Sequence, residues 1–309
     1  MSVTDLLPGL SDSIAARVAA AAPLLVSVRA ANARSLNAIA WRADIVVTSD
    51  QALAERDAYT LTCAGGGTVG ASPRGRDPGT NVAVLRTAAP IATSITPSGT
   101  PSGPTPPAAE PRVGDIALVL GSNGDGGPTA QFSVIAETGP QWHSQAGGRI
   151  DRLIRLDLRA GRLSEGALVV DAAGNALGMA TAGPRGHVLV IPHATIARTL
   201  DPLIAEGHIA RGWLGVGLQP VTVPPALREA VGQDQGRMIV SLAQGGPAEQ
   251  AGLMPGDILI ALDDQPMLGH RTLRAFLGPE RIGKPCAVRL LRGGAVQTAT
   301  LTVAARPAA

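Results

Sequence analysis

Between residues 36 and 192 the chain is cut into short runs rich in Val, Ile, Leu and Thr, most of them closed off by Gly, Pro, Asp or Asn. LNAIAWR (36–42), DIVVTS (44–49), AYTLTCA (58–64) and NVAVLRT (81–87) come first. DIALVLG (115–121), QFSVIAE (131–137), RLIRLDL (152–158), ALVVD (167–171) and HVLVIP (187–192) follow. Runs of this length and residue type read as strands, and strands this dense predict a pair of β barrels or a sandwich. Between the two groups lies PSGTPSGPTPPAAEPR (97–112), which cannot pack a core; it is either a linker or a loop inside the β domain. ALVVDAAGNALGMATA predicts a hairpin turning at Ala173-Gly174-Asn175. TIARTLDPLIAEG (195–207) has helical spacing and a closing Gly207. The division expected is a β domain over 13–195, a connecting helix over 196–210 and a second module over 211–305.

Composition excludes several classes of function. Hydrophobic residues make up 45% and charged residues 16%, which argues against general disorder. A net charge of +2, with three Trp, one Tyr and two Phe, offers neither a basic footprint nor stacking platforms for nucleic acid. No apolar run reaches the length of a membrane span. Val18–Val28 is the best candidate for a secretory leader, with Ala31-Asn32-Ala33 as a mimic of a cleavage site. Asp5, Asp12, Pro23 and Arg29 fit that reading poorly. Ser13–Ala22 reads instead as a helix capped by Ser11 or Asp12, and Leu24–Ala30 as the first strand. The expectation is therefore a cytoplasmic protein, with periplasmic as the alternative. Cys63 and Cys286 have no metal-binding spacing and are expected to be unpaired.

The sharpest local pattern is Gly246-Pro247-Ala248-Glu249-Gln250-Ala251-Gly252-Leu253-Met254-Pro255-Gly256-Asp257-Ile258. Pro247 can open a one-turn helix where its missing N–H costs nothing, Gly252 can end it, and Gly256-Asp257 turns into a strand. This resembles the signature of PDZ domains. Arg211-Gly212-Trp213-Leu214-Gly215-Val216 resembles their carboxylate-binding loop, and His270–Leu277 their groove helix. The resemblance implies binding of peptides or protein C-termini. The backbone N–H groups of Leu214, Gly215 and Val216 would take the carboxylate. Leu214, Leu273 and Leu277 would line the apolar pocket, with Trp213 at its entrance. Gly215 is expected because close approach of the ligand backbone leaves no room for a side chain.

A PDZ-like module after a β-rich domain and a helix is similar to the HtrA/Deg family, whose members carry a trypsin-like serine protease domain. The family's VVTNAHVV corresponds to Val46-Val47-Thr48-Ser49-Asp50-Gln51-Ala52-Leu53, with Gln51 at the histidine. Its TDLAVLK corresponds to Thr80-Asn81-Val82-Ala83-Val84-Leu85-Arg86, with Asn81 at the aspartate. Its PGNSGGPLV corresponds to Ala160–Val169, where Ser164 stands at the serine, one residue is inserted before it and Glu165 replaces a glycine. Val113-Gly114-Asp115 and Val188–Pro192 resemble two further landmarks. The fold implied is mainly β: a chymotrypsin/trypsin-like double β-barrel followed by a small α+β PDZ domain.

Serine attack needs a base within hydrogen-bond reach. An amide at residue 51 is no base, and an amide at residue 81 cannot stabilise an imidazolium. In other serine peptidases, converting the acid to an amide costs about 10⁴ in turnover and losing the base about 10⁶. Glu165 would also set negative charge beside a developing oxyanion. The expectation is a pseudoprotease with Ser164 as a vestigial nucleophile, acting as a chaperone, adaptor or regulator. The alternatives are an active endopeptidase with unusual base chemistry and a structural oligomer subunit. The resemblance also implies unfolded proteins as partners and a trimer. No cofactor and no metal are expected, since no HExxH or Cys/His cluster occurs. Among His143, His187, His193, His208 and His270, His193 is the least implausible substitute base. Gly121–Gly127 lacks the Lys-Ser/Thr of a phosphate loop and reads as a turn, and Arg149, Arg152 and Arg155 read as a solvated face.

Overall fold

The computed structural model describes residues 3–29, 35–91, 94–95, 101–102, 104–161 and 165–307. The chain divides into two compact units, residues 1–142 with 150–209, and residues 143–149 with 210–309.

The first unit holds two closed six-stranded barrels. Barrel one is built from β1 (Leu25–Arg29), β2 (Ser35–Arg42), β3 (Ile45–Ser49), β4 (Tyr59–Thr62), β5 (Thr68–Asp77) and β6 (Val82–Thr87), in the order β1-β2-β3-β6-β5-β4. Barrel two is built from β7 (Ile116–Ser122), β8 (Pro128–Gly139), β9 (Leu153–Arg159), β10 (Leu168–Asp171), β11 (Ala176–Ala182) and β12 (His187–Pro192), in the order β8-β9-β12-β11-β10-β7. Every pairing within them is antiparallel.

Side chains alternate across each strand, so residues i and i+2 share a face. In β3 and β6, Val46, Ala83 and Leu85 enter the core of barrel one, while Ile45, Val47, Val82 and Val84 enter a second core. That second core is shared with Leu118, Leu120, Leu168 and Met179 of barrel two and with Ile196, Leu200 and Leu203 of the following helix. Strands buried on both faces explain why runs such as VAVL are continuously apolar rather than alternating. The helix, α2, spans His193–Glu206 and closes on Gly207 at φ +78, the left-handed cap that the glycine predicted.

The amino-terminal helix, α1, differs from expectation. It runs Val3–Ala21, so Ser11 and Asp12 lie inside it and cap nothing, and Ser13 Oγ donates to the Gly9 carbonyl at 2.8 Å. Ile14, Val18 and Ala21 pack the helix's carboxy-terminal half on the shared core, while Leu7 and Leu10 are exposed. Leu24 belongs to a 3₁₀ turn and the first strand starts at Leu25. The leader candidate Val18–Val28 thus supplies core residues and a barrel strand, and cutting at residues 31–33, which lie outside the described residues, would remove β1. Residues 97–112 fall inside the first unit, between its barrels in sequence. The turn after β7 is held by Asn123 Oδ1, which accepts the N–H of Asp125 and of Gly127.

In the second unit, β13 (Gly212–Trp213) leads into a sheet ordered β14 (Val216–Thr222), β15 (Gln235–Leu242), β16 (Ile258–Leu262), β17 (Pro285–Arg292) and β18 (Ala295–Thr302). The one-turn helix α3 (Pro247–Gln250) and the helix α4 (His270–Phe276) cover it. The tail strand β19 (Ala304–Ala305) pairs with β13. Cys63 and Cys286 fall in different units and are both free thiols, and burial raises the pKa of each.

Candidate functional site

Gln51 sits in the 3₁₀ turn Asp50–Ala52 directly after β3, and Asn81 immediately precedes β6, which pairs with β3. Asn81 has φ +59, a left-handed conformation that Asn tolerates better than most residues. Asp77 builds the turn before it, accepting the Gly79 and Thr80 N–H groups and the Thr80 hydroxyl at 3.0, 3.1 and 2.7 Å. The Gln51 backbone N–H donates to Asn81 Oδ1 at 2.7 Å, as does Ser49 Oγ at 3.2 Å. These two donors orient the amide, so that Nδ2 points the other way and donates to Thr181 Oγ1 at 2.7 Å.

Thr181 lies near the end of β11, fully buried, and is the junction of the site. Its hydroxyl accepts from Asn81 and from Gln51 Nε2 (2.8 Å) and donates to Glu165 Oε2 (3.2 Å). Glu165 Oε1 accepts from Gln51 Nε2 at 3.0 Å and from the Ala182 N–H at 2.8 Å, and Gln51 Nε2 also lies 3.2 Å from the Ala182 carbonyl. Glu165 thereby faces three neutral donors. The N–H and C=O of Ala182, at the end of β11, are both engaged by side chains.

The Glu165 backbone is anchored as well. Its carbonyl accepts the Asn37 N–H at 3.2 Å, and Gly166 N–H donates to the Ala180 carbonyl at 3.0 Å. Gly166 has φ +76, and a Cβ there would lie 1.9 Å from the Asn37 carbonyl oxygen, so only glycine fits. Ser164 lies outside the described residues. Among the described residues, Glu165 is the only ionisable side chain in the hydrogen-bond network of Gln51, Asn81 and Thr181. His193 is elsewhere engaged: its ring stacks against Trp41 with centroids 4.8 Å apart, and Nε2 meets the Pro104 carbonyl at 3.1 Å. Burial lowers its pKa, against the opposing effect of that carbonyl. No group of three or more His, Cys, Asp or Glu among the described residues could hold a metal ion, and no helix among them is long and apolar enough to cross a membrane.

Sequence reasoning named Gln51, Asn81 and Glu165 but missed Thr181. A threonine in an apolar strand carries no signal until barrel closure brings it to residues 100 and 130 positions away.

The second unit carries a separate cleft of about 490 Å³, lined in part by Trp213, Leu214, Gly215, Val216, Leu273 and Leu277. The Leu214 carbonyl accepts the Ala248 N–H and the Gly215 carbonyl the Ala243 N–H, at 2.9 and 2.8 Å. In a trans peptide the N–H opposes the C=O, so the Gly215 and Val216 N–H groups point away from those partners. β14 is an edge strand, paired on one side by β15. The tail β19 pairs with β13, leaving β14 free of it. Gly215 meets a backbone requirement that stands beside the ligand approach expected of it. Its φ is +76, while an added Cβ would find its nearest neighbours at an ordinary 3.4 Å. Conformation, not crowding by the protein, requires the glycine.

Two closed barrels with a polar centre beside the β3–β6 pair, followed by a six-stranded sheet with a cleft at its edge, define a trypsin-like peptidase fold joined to a PDZ domain. Residues 37–179 match the trypsin-like peptidase domain and residues 212–303 the PDZ domain. This pair of domains in this order is similar to that of HtrA/Deg serine endoproteases. It is 28% identical over 268 residues to a probable periplasmic serine endoprotease, DegP-like, of Brucella suis biovar 1 (strain 1330), covering 85% of this chain and 50% of that one. It is 24% identical over 324 residues to the serine endoprotease DegS of Escherichia coli (strain K12), covering 99% and 88%. The solved HtrA-type protease AlgW with decapeptide superposes with a TM-score of 0.67 at 25% identity, covering 95% of this chain and 98% of that one. The chain spans about half the length of the DegP-like relatives it matches.

Proposed function

We propose that this chain is a non-hydrolytic member of the HtrA/Deg family that binds peptides or protein C-termini through its PDZ cleft, acting as a chaperone, adaptor or regulator. The observation that carries the reading is the network at Gln51. Both positions that would supply base and orienter are amides, and the one carboxylate present is taken up by three donors. With its lone pairs engaged by Gln51, Thr181 and the Ala182 N–H, Glu165 is held in place beside the serine turn and is not directed at a serine hydroxyl. The Gly215 and Val216 N–H groups would hold a C-terminal carboxylate, the peptide would add along the edge of β14, and Leu214, Leu273 and Leu277 would receive the last side chain. Solved relatives crystallised with peptides support this part of the reading.

The relatives' description as serine endoproteases favours a second reading, an active peptidase using Ser164. Incubation of the pure protein with casein and with a fluorophosphonate probe separates the two. The proposal expects neither cleavage nor labelling. Cleavage that disappears in Ser164→Ala overturns it.

A further inference from the structure

The PDZ cleft is basic as well as apolar. Arg211, Arg274 and Arg306 line it beside Leu273 and Leu277, and among the described residues no acidic side chain does. Elsewhere in the same unit Arg281 pairs with Asp263 and Arg292 with Asp257 at 2.6 Å, while Arg228, Arg237 and Arg289 donate to backbone carbonyls away from the cleft. Arg274 and Arg306 have no carboxylate partner among the described residues. Arg274 is exposed on α4, one position past Leu273, and its Nη1 donates only to the Gln145 carbonyl at 3.2 Å. Arg306 is exposed, and its backbone N–H donates to the Arg211 carbonyl at 2.8 Å, which sets its side chain at the loop end of the cleft. Two guanidinium groups left without carboxylates over an apolar floor form a field that a lone terminal carboxylate, held by backbone N–H groups, does not use up.

We infer that the cleft selects C-termini with an acidic side chain two residues before an apolar last residue, with Arg274 facing that side chain and Arg306 adding positive charge at the loop end. This rests on the peptide-binding reading above. A strand laid along β14 advances about 3.3 Å per residue and alternates its faces. The side chain two residues before the end therefore returns to the α4 face, where Arg274 stands, and the one between faces away. Arg306 lies at the loop end, within reach of the residues nearest the terminus. Both contacts are exposed, so each contributes modestly and is weakened by salt.

The test is fluorescence anisotropy on the full chain. Three labelled free-acid hexapeptides all end in Leu and differ only in the two preceding residues: Glu-Glu, Gln-Gln or Lys-Lys. The expected order is Glu-Glu, then Gln-Gln, then Lys-Lys, with about fivefold between the first two at low salt. The gap should narrow at 0.5 M salt. In the double variant Arg274→Gln with Arg306→Gln, the ratio of Glu-Glu to Gln-Gln affinity should fall to about one while both peptides still bind, a result that misfolding could not produce. Equal binding of the three peptides, or an advantage that survives in the double variant, overturns this inference and leaves the peptide cleft standing. No binding by any free-acid peptide overturns both.

Discussion

Returning a carboxylate to position 81 should harm the protein before it helps any chemistry. In Asn81→Asp the Nδ2 atom, 2.7 Å from Thr181 Oγ1, becomes an oxygen, while Glu165 Oε2 already lies 3.2 Å from the same hydroxyl. Two carboxylates would then face one proton, with those oxygens at most about 6 Å apart. At an effective dielectric of about 20, unit charges at that distance repel by about 3 kcal/mol. Gln51 is exposed, so solvent screens part of this, and the expected net cost is about 1–3 kcal/mol. The sign with pH follows. Repulsion raises the folded-state pKa of the introduced carboxyl above its unfolded value near 4. Between those two values the folded state holds more protons than the unfolded one, so stability relative to the parent falls as pH rises through about 4 and then levels off. Urea denaturation of Asn81→Asp, Glu165→Gln and the double variant at pH 3.5 and 7.5 measures the effect. The double variant should recover most of the loss at pH 7.5, giving a coupling energy of about 1–3 kcal/mol. An Asn81→Asp variant equally stable at both pH values, or one not rescued by Glu165→Gln, refutes the reasoning that the site's single negative charge has been taken over by Glu165.

Three further outcomes are expected. The double change Gln51→His with Asn81→Asp should leave casein intact, because Glu165 still holds the Ala182 N–H and the turn at Gly166; hydrolysis that depends on Ser164 in that variant would show the oxyanion turn to be competent. Gly166→Ala should destabilise the first unit by about 3 kcal/mol or more in urea denaturation, since backbone strain adds to a collision with the Asn37 carbonyl, whereas Gly215→Ala should cost only the left-handed strain, about 1–2 kcal/mol. Amidating the C-terminus of a bound peptide should weaken its binding at least about tenfold by calorimetry, as charge-assisted bonds of about 1.5–3 kcal/mol each are lost; equal affinity for the amide removes the carboxylate role of the loop.

Features carried by contiguous residues were legible before any coordinates. Val-Ile-Leu runs between turn residues predicted the barrels, because a strand buried on both faces must be apolar throughout. Pro247, Gly252 and Gly256 spelled out a turn, a one-turn helix and a strand, because each restricts or frees its own backbone. The amides at 51 and 81 were likewise visible as residue types within strand-adjacent motifs. What closure of the barrels decided could not be read this way. Glu165 reaches Gln51 across 114 positions, and Thr181 joins both to Asn81 only because β11 ends beside the turn after β3. The run of the amino-terminal helix through Ser11 and Asp12 was not marked by any cap residue in the sequence. The left-handed backbone angle at Gly215 emerged only with the fold. Arg274 and Arg306 became neighbours of one cleft only when β19 paired with β13. Local backbone chemistry is written residue by residue, but which side chains meet is set by strand order and register, and no spacing along the chain reports them.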